Sequence, residues 1–169
     1  MAEATIVVVP WDDDDVARLR MAQQDELAEM YDGEPDIEAV LPPEEMLATV
    51  ALSVDGEVVA CGSLRDAARY GDGYGELKRM YVLPRHRGRS LSRRVLVALE
   101  LIAAERGLRR LILETGVLQV AAIGLYESAG YRRIPPYGPY VETPRSVCYG
   151  RWLVPDTDTD AVRGGATAR

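Results

Sequence analysis

The sequence predicts an α/β domain built on a mixed, mostly antiparallel central sheet with flanking helices, and three observations carry that prediction. Two β-rich segments meet at Asp55-Gly56, a dipeptide suited to a tight hairpin because both residues tolerate positive φ. Residues 90–106 repeat apolar side chains three or four apart, at Leu91, Val95, Leu99 and Ile102, and lie between two further β-rich segments. A strand, a helix of that length and a strand make a right-handed crossover, which sets those two strands parallel.

Taken in order, residues 4–9 are rich in Ile and Val and end at Pro10, as a first strand. Asp12 to Asp15 then open a helix: one caps free backbone amides, the others oppose the positive end of the dipole, and Val16, Leu19, Leu27 and Met30 form an apolar stripe. Residues 32–45, with Gly33, Pro35, Pro42 and Pro43, are an irregular connection. Residues 49–54 and 57–65 form the hairpin, 75–83 the next strand, 90–106 the long helix closed by Gly107, and 109–115 the parallel return. Residues 120–128 form a further helix ended by Ala129-Gly130, and 131–134 and 146–153 complete the sheet. No repeat or linker interrupts this series, so one domain is expected over residues 1–154, followed by a flexible tail over 155–169 rich in Asp, Thr, Gly and Ala.

With 169 residues, 47% hydrophobic and 28% charged, the chain has the composition of one soluble domain with a real core. Its two cysteines, Cys61 and Cys148, lie in apolar, strand-like surroundings and read as reduced and buried, which suits a cytoplasmic protein. The opening MAEATIVVVPWDDDD lacks a basic region and has a short apolar run, supporting neither a signal peptide nor a membrane span. A formal net charge of −7 argues against nucleic acid as partner. Yet from Leu77 to Leu99 there is no Asp or Glu, while Lys78, Arg79, Arg85, Arg87, Arg89, Arg93 and Arg94 fall inside that stretch. Positive charge concentrated within an acidic chain points to a compact anion.

That anion has a place. From Val82 to Arg93 a strand ends, a turn around Gly88 follows, and a helix begins. Such a turn aims unpaired backbone amides at one point, on the positive end of a helix dipole, beside arginines suited to phosphate oxygens. Turn and charge alone leave a second reading open, in which Gly88 merely permits the turn and the arginines lie in solvent. Neither GxxxxGK[ST] nor GxGxxG occurs, which weakens nucleotide triphosphates and dinucleotides as ligands.

These residues resemble the GCN5-related N-acetyltransferases (the GNAT family), whose central motif runs strand, V-x-P-x-x-R-G-x-G-x-G/A, helix. Val82, Pro84, Arg87 and Gly88 match it, whereas Ser90 and Ser92 replace its later small residues. Leu113-Glu114-Thr115-Gly116 is similar to the end of the family's fifth strand, and Ala121 to Tyr131 to its A-x-x-L-Y-x-x-x-G-F/Y segment, so the likeness covers about residues 5–153. The resemblance implies a sheet whose parallel pair splays apart, with acetyl-CoA as acyl donor and no metal. It implies pantetheine pairing with the backbone of Met80, Tyr81 and Val82, and pyrophosphate on the turn Arg87, Gly88, Arg89, Ser90, Leu91, Ser92 and Arg93. Gln119 matches a family position that touches the coenzyme through its amide, and Tyr126 matches the tyrosine proposed to protonate the departing thiolate.

A phenol is a weak acid suited to that task, although the residues alone also allow Tyr126 as helix core. Two carboxylates on the splayed strands, Glu76 and Glu114, are candidate bases; each could instead orient the amine or pair with an arginine. His86 reads as a loop residue, and one histidine with two distant cysteines makes neither a nucleophilic triad nor a metal site. The run Ile134-Pro135-Pro136-Tyr137-Gly138-Pro139-Tyr140, with Tyr31 and the loop to Glu45, is expected to wall a pocket for a small-molecule amine. An acyl-CoA sensor without catalysis and an acetyltransferase of protein or peptide amines are the alternatives. Family members often pair through sheet edges or C-terminal strands, so residues 146–153 are a candidate homodimer contact.

Overall fold

The computed structural model describes residues 3–154, which form one seven-stranded sheet with three α-helices. The strands are β1 (Ala4–Val9), β2 (Met46–Val54), β3 (Glu57–Asp66), β4 (Tyr74–Val82), β5 (Arg110–Gly116), β6 (Arg132–Ile134) and β7 (Ser146–Trp152). The helices are α1 (Asp14–Met30), α2 (Leu91–Glu105) and α3 (Val120–Ser128). In space the strands run β1-β2-β3-β4-β5-β7-β6, antiparallel at every junction except β4 with β5. All seven expected strands and three expected helices form, with ends displaced by up to three residues. The flexible tail expected after residue 154 lies outside the described residues.

Local chemistry accounts for the elements. Asp13 caps α1, its carboxylate accepting from the Val16 amide at 3.1 Å, and Asp14 and Asp15 fill the first turn. The hairpin turns where Asp55 and Gly56 adopt φ of 49° and 83°, the positive pair that a tight turn needs. Val16 and Leu19 of α1 pack on Ala51 and Cys61 over one face of the sheet. Leu91, Val95, Leu96 and Leu99 of α2 pack with Leu64, Leu77, Leu111 and Tyr126 over the other. Each fully buried leucine there contributes about 1.5–3 kcal/mol of apolar burial. Cys61 and Cys148 are free and buried, and burial pushes their thiols up to about 12 and about 11.

Two features differ from expectation. β7 is an interior strand, paired with β5 along its whole length and covered on its other side by the short β6 at Cys148, Tyr149 and Gly150, so strand pairing between two copies would find only its two ends open. The stripe on α1 runs off the core: Leu27 and Met30 face open space at the centre of the molecule instead of packed side chains. Among the described residues no helix is long and apolar enough to cross a membrane.

Candidate functional site

The open space exists because β4 and β5 part. They pair only from Tyr74 with Arg110 to Glu76 with Ile112. Beyond that point β4 stays with β3 and β5 with β7. A bulge steers the separation: opposite Cys61 and Ser63 the register of β4 shifts, and Arg79 takes φ of 55°. A left-handed non-glycine residue costs about 1–2 kcal/mol, offset here by the Arg79 side chain, which donates to Asp36 and to Glu38 O at 2.6 Å each. The resulting cleft of about 880 Å³ runs between the end of α1, the loop 33–39, β4, the turn after it, the end of β5 and α3.

One mouth of the cleft is the turn. Gly88 takes φ of 75° and Ser90, which precedes α2, takes φ of 57°. After Arg87, whose amide bonds Pro84 O, the next amide in the chain with a backbone partner is that of Arg94, bonded to Ser90 O at 3.2 Å. The amides from Gly88 to Arg93 are therefore open, beside the positive end of α2. Gly88, Ser90, Leu91 and Ser92 line the cleft, whereas Arg89 turns to His86 and Arg93 to the Ser128 hydroxyl.

Arg87 lines the cleft with its guanidinium turned toward α1. Its fork grips the Glu26 carboxylate at 2.9 and 2.8 Å, and Nε donates to Val82 O at 2.9 Å. These bonds use three of the five guanidinium N–H groups, so the expected phosphate contact would share Arg87 with Glu26 and Val82 O. Of the backbone trio, Met80 O and Val82 O face the gap, where Gln23 Nε2 and Arg87 Nε meet them at 2.9 Å each. The Leu83 amide donates to Val59 O, so strand alternation turns Tyr81's backbone groups toward β3 and away from the gap, contrary to expectation.

Across the gap, Tyr126 on α3 is 5% exposed, lines the cleft, and its hydroxyl has no hydrogen-bond partner among the described residues. Burial, then the nearby Glu114 charge, holds its phenol well above the ordinary range. Glu114, near the end of β5, also lines the cleft and accepts from the Ser146 hydroxyl at 2.7 Å. Burial raises its carboxyl against that bond. Gln119, which caps α3 by position alone, and Tyr31 complete this wall. A Cβ on Gly116 would overlap the Tyr31 hydroxyl, which is why glycine ends β5.

Glu76 is not part of this surface. It is 1% exposed beneath the cleft, 3.2 Å from Lys78 Nζ, and burial raises its carboxyl. Lys78, the one lysine of the chain, also reaches Glu38 and the Tyr140 hydroxyl at 2.8 Å each. Arg65 donates to Glu38 and Glu45 at 2.9 and 2.6 Å, so acids of the connecting loop are strapped to β3 and β4. The tyrosine run belongs here and not to the cleft wall: Tyr140 is buried on Glu38, and Tyr137 stacks between Tyr70 and Tyr140. Gln23, Glu26, Glu38 and Lys78 were not singled out from the sequence for these roles; for Lys78 its uniqueness was the available signal.

The model of the acetyltransferase (GNAT) family matches residues 11–131. Over 92 residues the chain is 45% identical to a protein of Azospirillum brasilense named IAA acetyltransferase, covering 54% of this chain and 59% of that one. The chain spans about half to three fifths, 48–60%, of the length of the curated relatives it matches. A solved candidate acyl-CoA N-acyltransferase of Klebsiella pneumoniae is 36% identical, with a TM-score of 0.75 over 89% of this chain and 98% of that one. The PaiA N-acetyltransferase of Thermoplasma acidophilum, solved in complex with coenzyme A, superposes with a TM-score of 0.65 over 88% of this chain and 99% of that one; at 14% identity it shows a shared fold.

Proposed function

The chain belongs to the GNAT family of acetyltransferases, and we propose that it moves the acetyl group of acetyl-CoA to a small-molecule amine by direct attack in a ternary complex. The observation that carries this reading is the split between β4 and β5, with open amides at one mouth and a buried phenol beside a carboxylate at the other. This chain's residues fit the coenzyme. The amides from Gly88 to Arg93 and the start of α2 suit its pyrophosphate, gap-facing backbone of Met80 and Val82 suits its amides, and Gln119 lies along the path. When bound it supplies the acetyl thioester.

The residues then have distinct work. Glu114 receives the ammonium proton directly or through water, its raised pKa bringing it closer to that task. As the amine nitrogen bonds the carbonyl carbon and the carbon–sulfur bond breaks, Tyr126 gives its proton to the thiolate and regains one, directly or through water, from the second N–H that the new amide nitrogen sheds, while Glu114 releases the first ammonium proton to solvent. The neutral form of Tyr126 persists at working pH because the phenol is raised. Glu76 serves as a buried counter-charge to Lys78 beneath the site. Two free, buried cysteines support a cytoplasmic location. Incubating the protein with acetyl-CoA and an amine panel, following free thiol, tests the reading: turnover is expected. Coenzyme binding without turnover across the panel would make the chain a sensor, and no coenzyme binding would refute the proposal.

A further inference from the structure

We infer that the acceptor is a primary amine on an apolar or aromatic body with no carboxylate beside the amine. The inference rests on the acetyltransferase reading of the cleft and comes from counting which charges there are already answered. Lys78 lies against Glu38 and Glu76, at 2.8 and 3.2 Å. Arg79 lies 2.6 Å from Asp36, Arg87 is held by Glu26 at 2.8 Å, and Arg145 is paired with Glu34. Every Lys and Arg lining the cleft thus has an acidic partner supplied by the protein. Glu114 is the converse: it lines the cleft, and its one bonded partner among the described residues is the neutral Ser146 hydroxyl.

An entering α-amino acid would bring a carboxylate into this space. At Lys78 and Arg79, whose side chains are 9% and 8% exposed, binding it would break an ion pair and strand an acid, because a buried charge without a partner is costly; at Arg87 and Arg145 it would compete with the acid already held. The same carboxylate would sit near Glu114, and like charges repel. An amine without that group meets none of these costs, and its ammonium answers Glu114. Between the paired charges the acceptor mouth also presents apolar surface: Met30 and Ile37 are each 37% exposed and Leu118 is 54% exposed, with the Tyr31 ring between α1 and β5. Such a rim suits an aromatic or aliphatic body.

The test is a charge series on one body: tyramine, tyrosinamide and tyrosine, each with saturating acetyl-CoA, following thiol release. Tyramine and tyrosinamide should be acetylated with kcat/KM within about tenfold of each other and at least about tenfold above tyrosine, a factor of ten being about 1.4 kcal/mol. Tyrosine equal to or better than tyramine overturns the inference. So does failure of all three while calorimetry shows coenzyme bound, which leaves the coenzyme reading standing; absence of coenzyme binding defeats that reading itself. A second variant reads the cause. Glu34→Gln leaves Arg145 at the cleft rim without its acidic partner, though still bonded to Pro35 O, and should narrow the tyramine-to-tyrosine ratio by lowering KM for tyrosine. An unchanged ratio in a folded Glu34→Gln protein counts against the charge argument.

Discussion

Arg87 holds Glu26 in a two-pronged ion pair while its Nε caps Val82 O, so one side chain ties α1, the end of β4 and the turn together. The guanidinium thus braces the phosphate turn from the wall of the cleft it lines. Because Glu26 and Arg87 side chains are 33% and 45% exposed, solvent screening keeps their mutual stabilisation to about 1 kcal/mol or less.

Arg87→Gln should therefore lower the melting temperature slightly and loosen coenzyme binding through a less ordered turn. Arg89, whose one recorded partner is the His86 ring, is freer to meet a phosphate. Arg89→Gln is expected to leave the melting temperature unchanged and weaken coenzyme affinity about threefold to tenfold, as loss of one screened charge-assisted contact would. Calorimetry on both variants decides; an Arg89 variant with wild-type affinity and salt dependence would show that backbone amides bind the phosphates alone.

Gly88 separates backbone conformation from space. A Cβ built there meets nothing within 4 Å, so size is no obstacle, but φ of 75° is. Gly88→Asn, neutral and tolerant of positive φ, should bind coenzyme within a few-fold of wild type. Gly88→Asp, which keeps the shape and adds negative charge at the open amides, should lose measurable binding. Equal affinities for the two variants would remove the turn from the phosphate site.

Glu38 gives a pH-dependent stability prediction. Burial alone would raise its carboxyl, but the Lys78 charge and hydrogen bonds from Lys78, Arg65 and Tyr140 lower it from 4.5 to about 2. A depressed folded-state value means stability that is present above the unfolded value and lost as pH falls from about 4.5 to about 2. Glu38→Gln should destabilise the protein by roughly 2–3 kcal/mol at pH 7, and the deficit should shrink through that window. Denaturant titrations at pH 7 and at low pH measure it; a deficit independent of pH would mean that the loss is packing and not charge.

Locally coded features were legible in the sequence, and contacts between distant segments were not. Asp55-Gly56, the α2 stripe and the Gly88 turn announce themselves within a few residues, because φ preference and periodicity are local properties. The insertion of β7 between β5 and β6 depends on pairing across residues 135–145, which carry no register signal of their own. The bulge hid for the opposite reason: arginine has no preference for the φ that Arg79 adopts, and the bonds that hold it come from Asp36 and Glu38, over forty positions away. Tyr126 and Glu114 were legible as types and spacing, while Glu76, similar in type, fell beneath the site because the strands separate just after it.

Tyr126 is where binding and chemistry can be separated. The residue is 5% exposed and lines the cleft, no protein group among the described residues bonds its hydroxyl, and its ring packs edge-on against Tyr131 at 5.7 Å. Tyr126→Phe keeps that packing and leaves no protein group unpaired, so the variant should melt within a degree or two of wild type, about the effect of a substitution worth under 0.5 kcal/mol. Coenzyme affinity should be nearly unchanged. Turnover should nevertheless fall by about 10²–10⁴-fold in kcat, with KM little altered, because a positioned acid contributes on that scale when chemistry limits the rate. The pH profile adds an independent reading: kcat/KM for the best amine should rise through the raised value of Glu114, and Glu114→Gln should flatten that limb. A kcat for Tyr126→Phe equal to wild type would make the tyrosine helix core and shift thiolate protonation to water, whereas an equal loss in coenzyme affinity would assign its hydroxyl to binding.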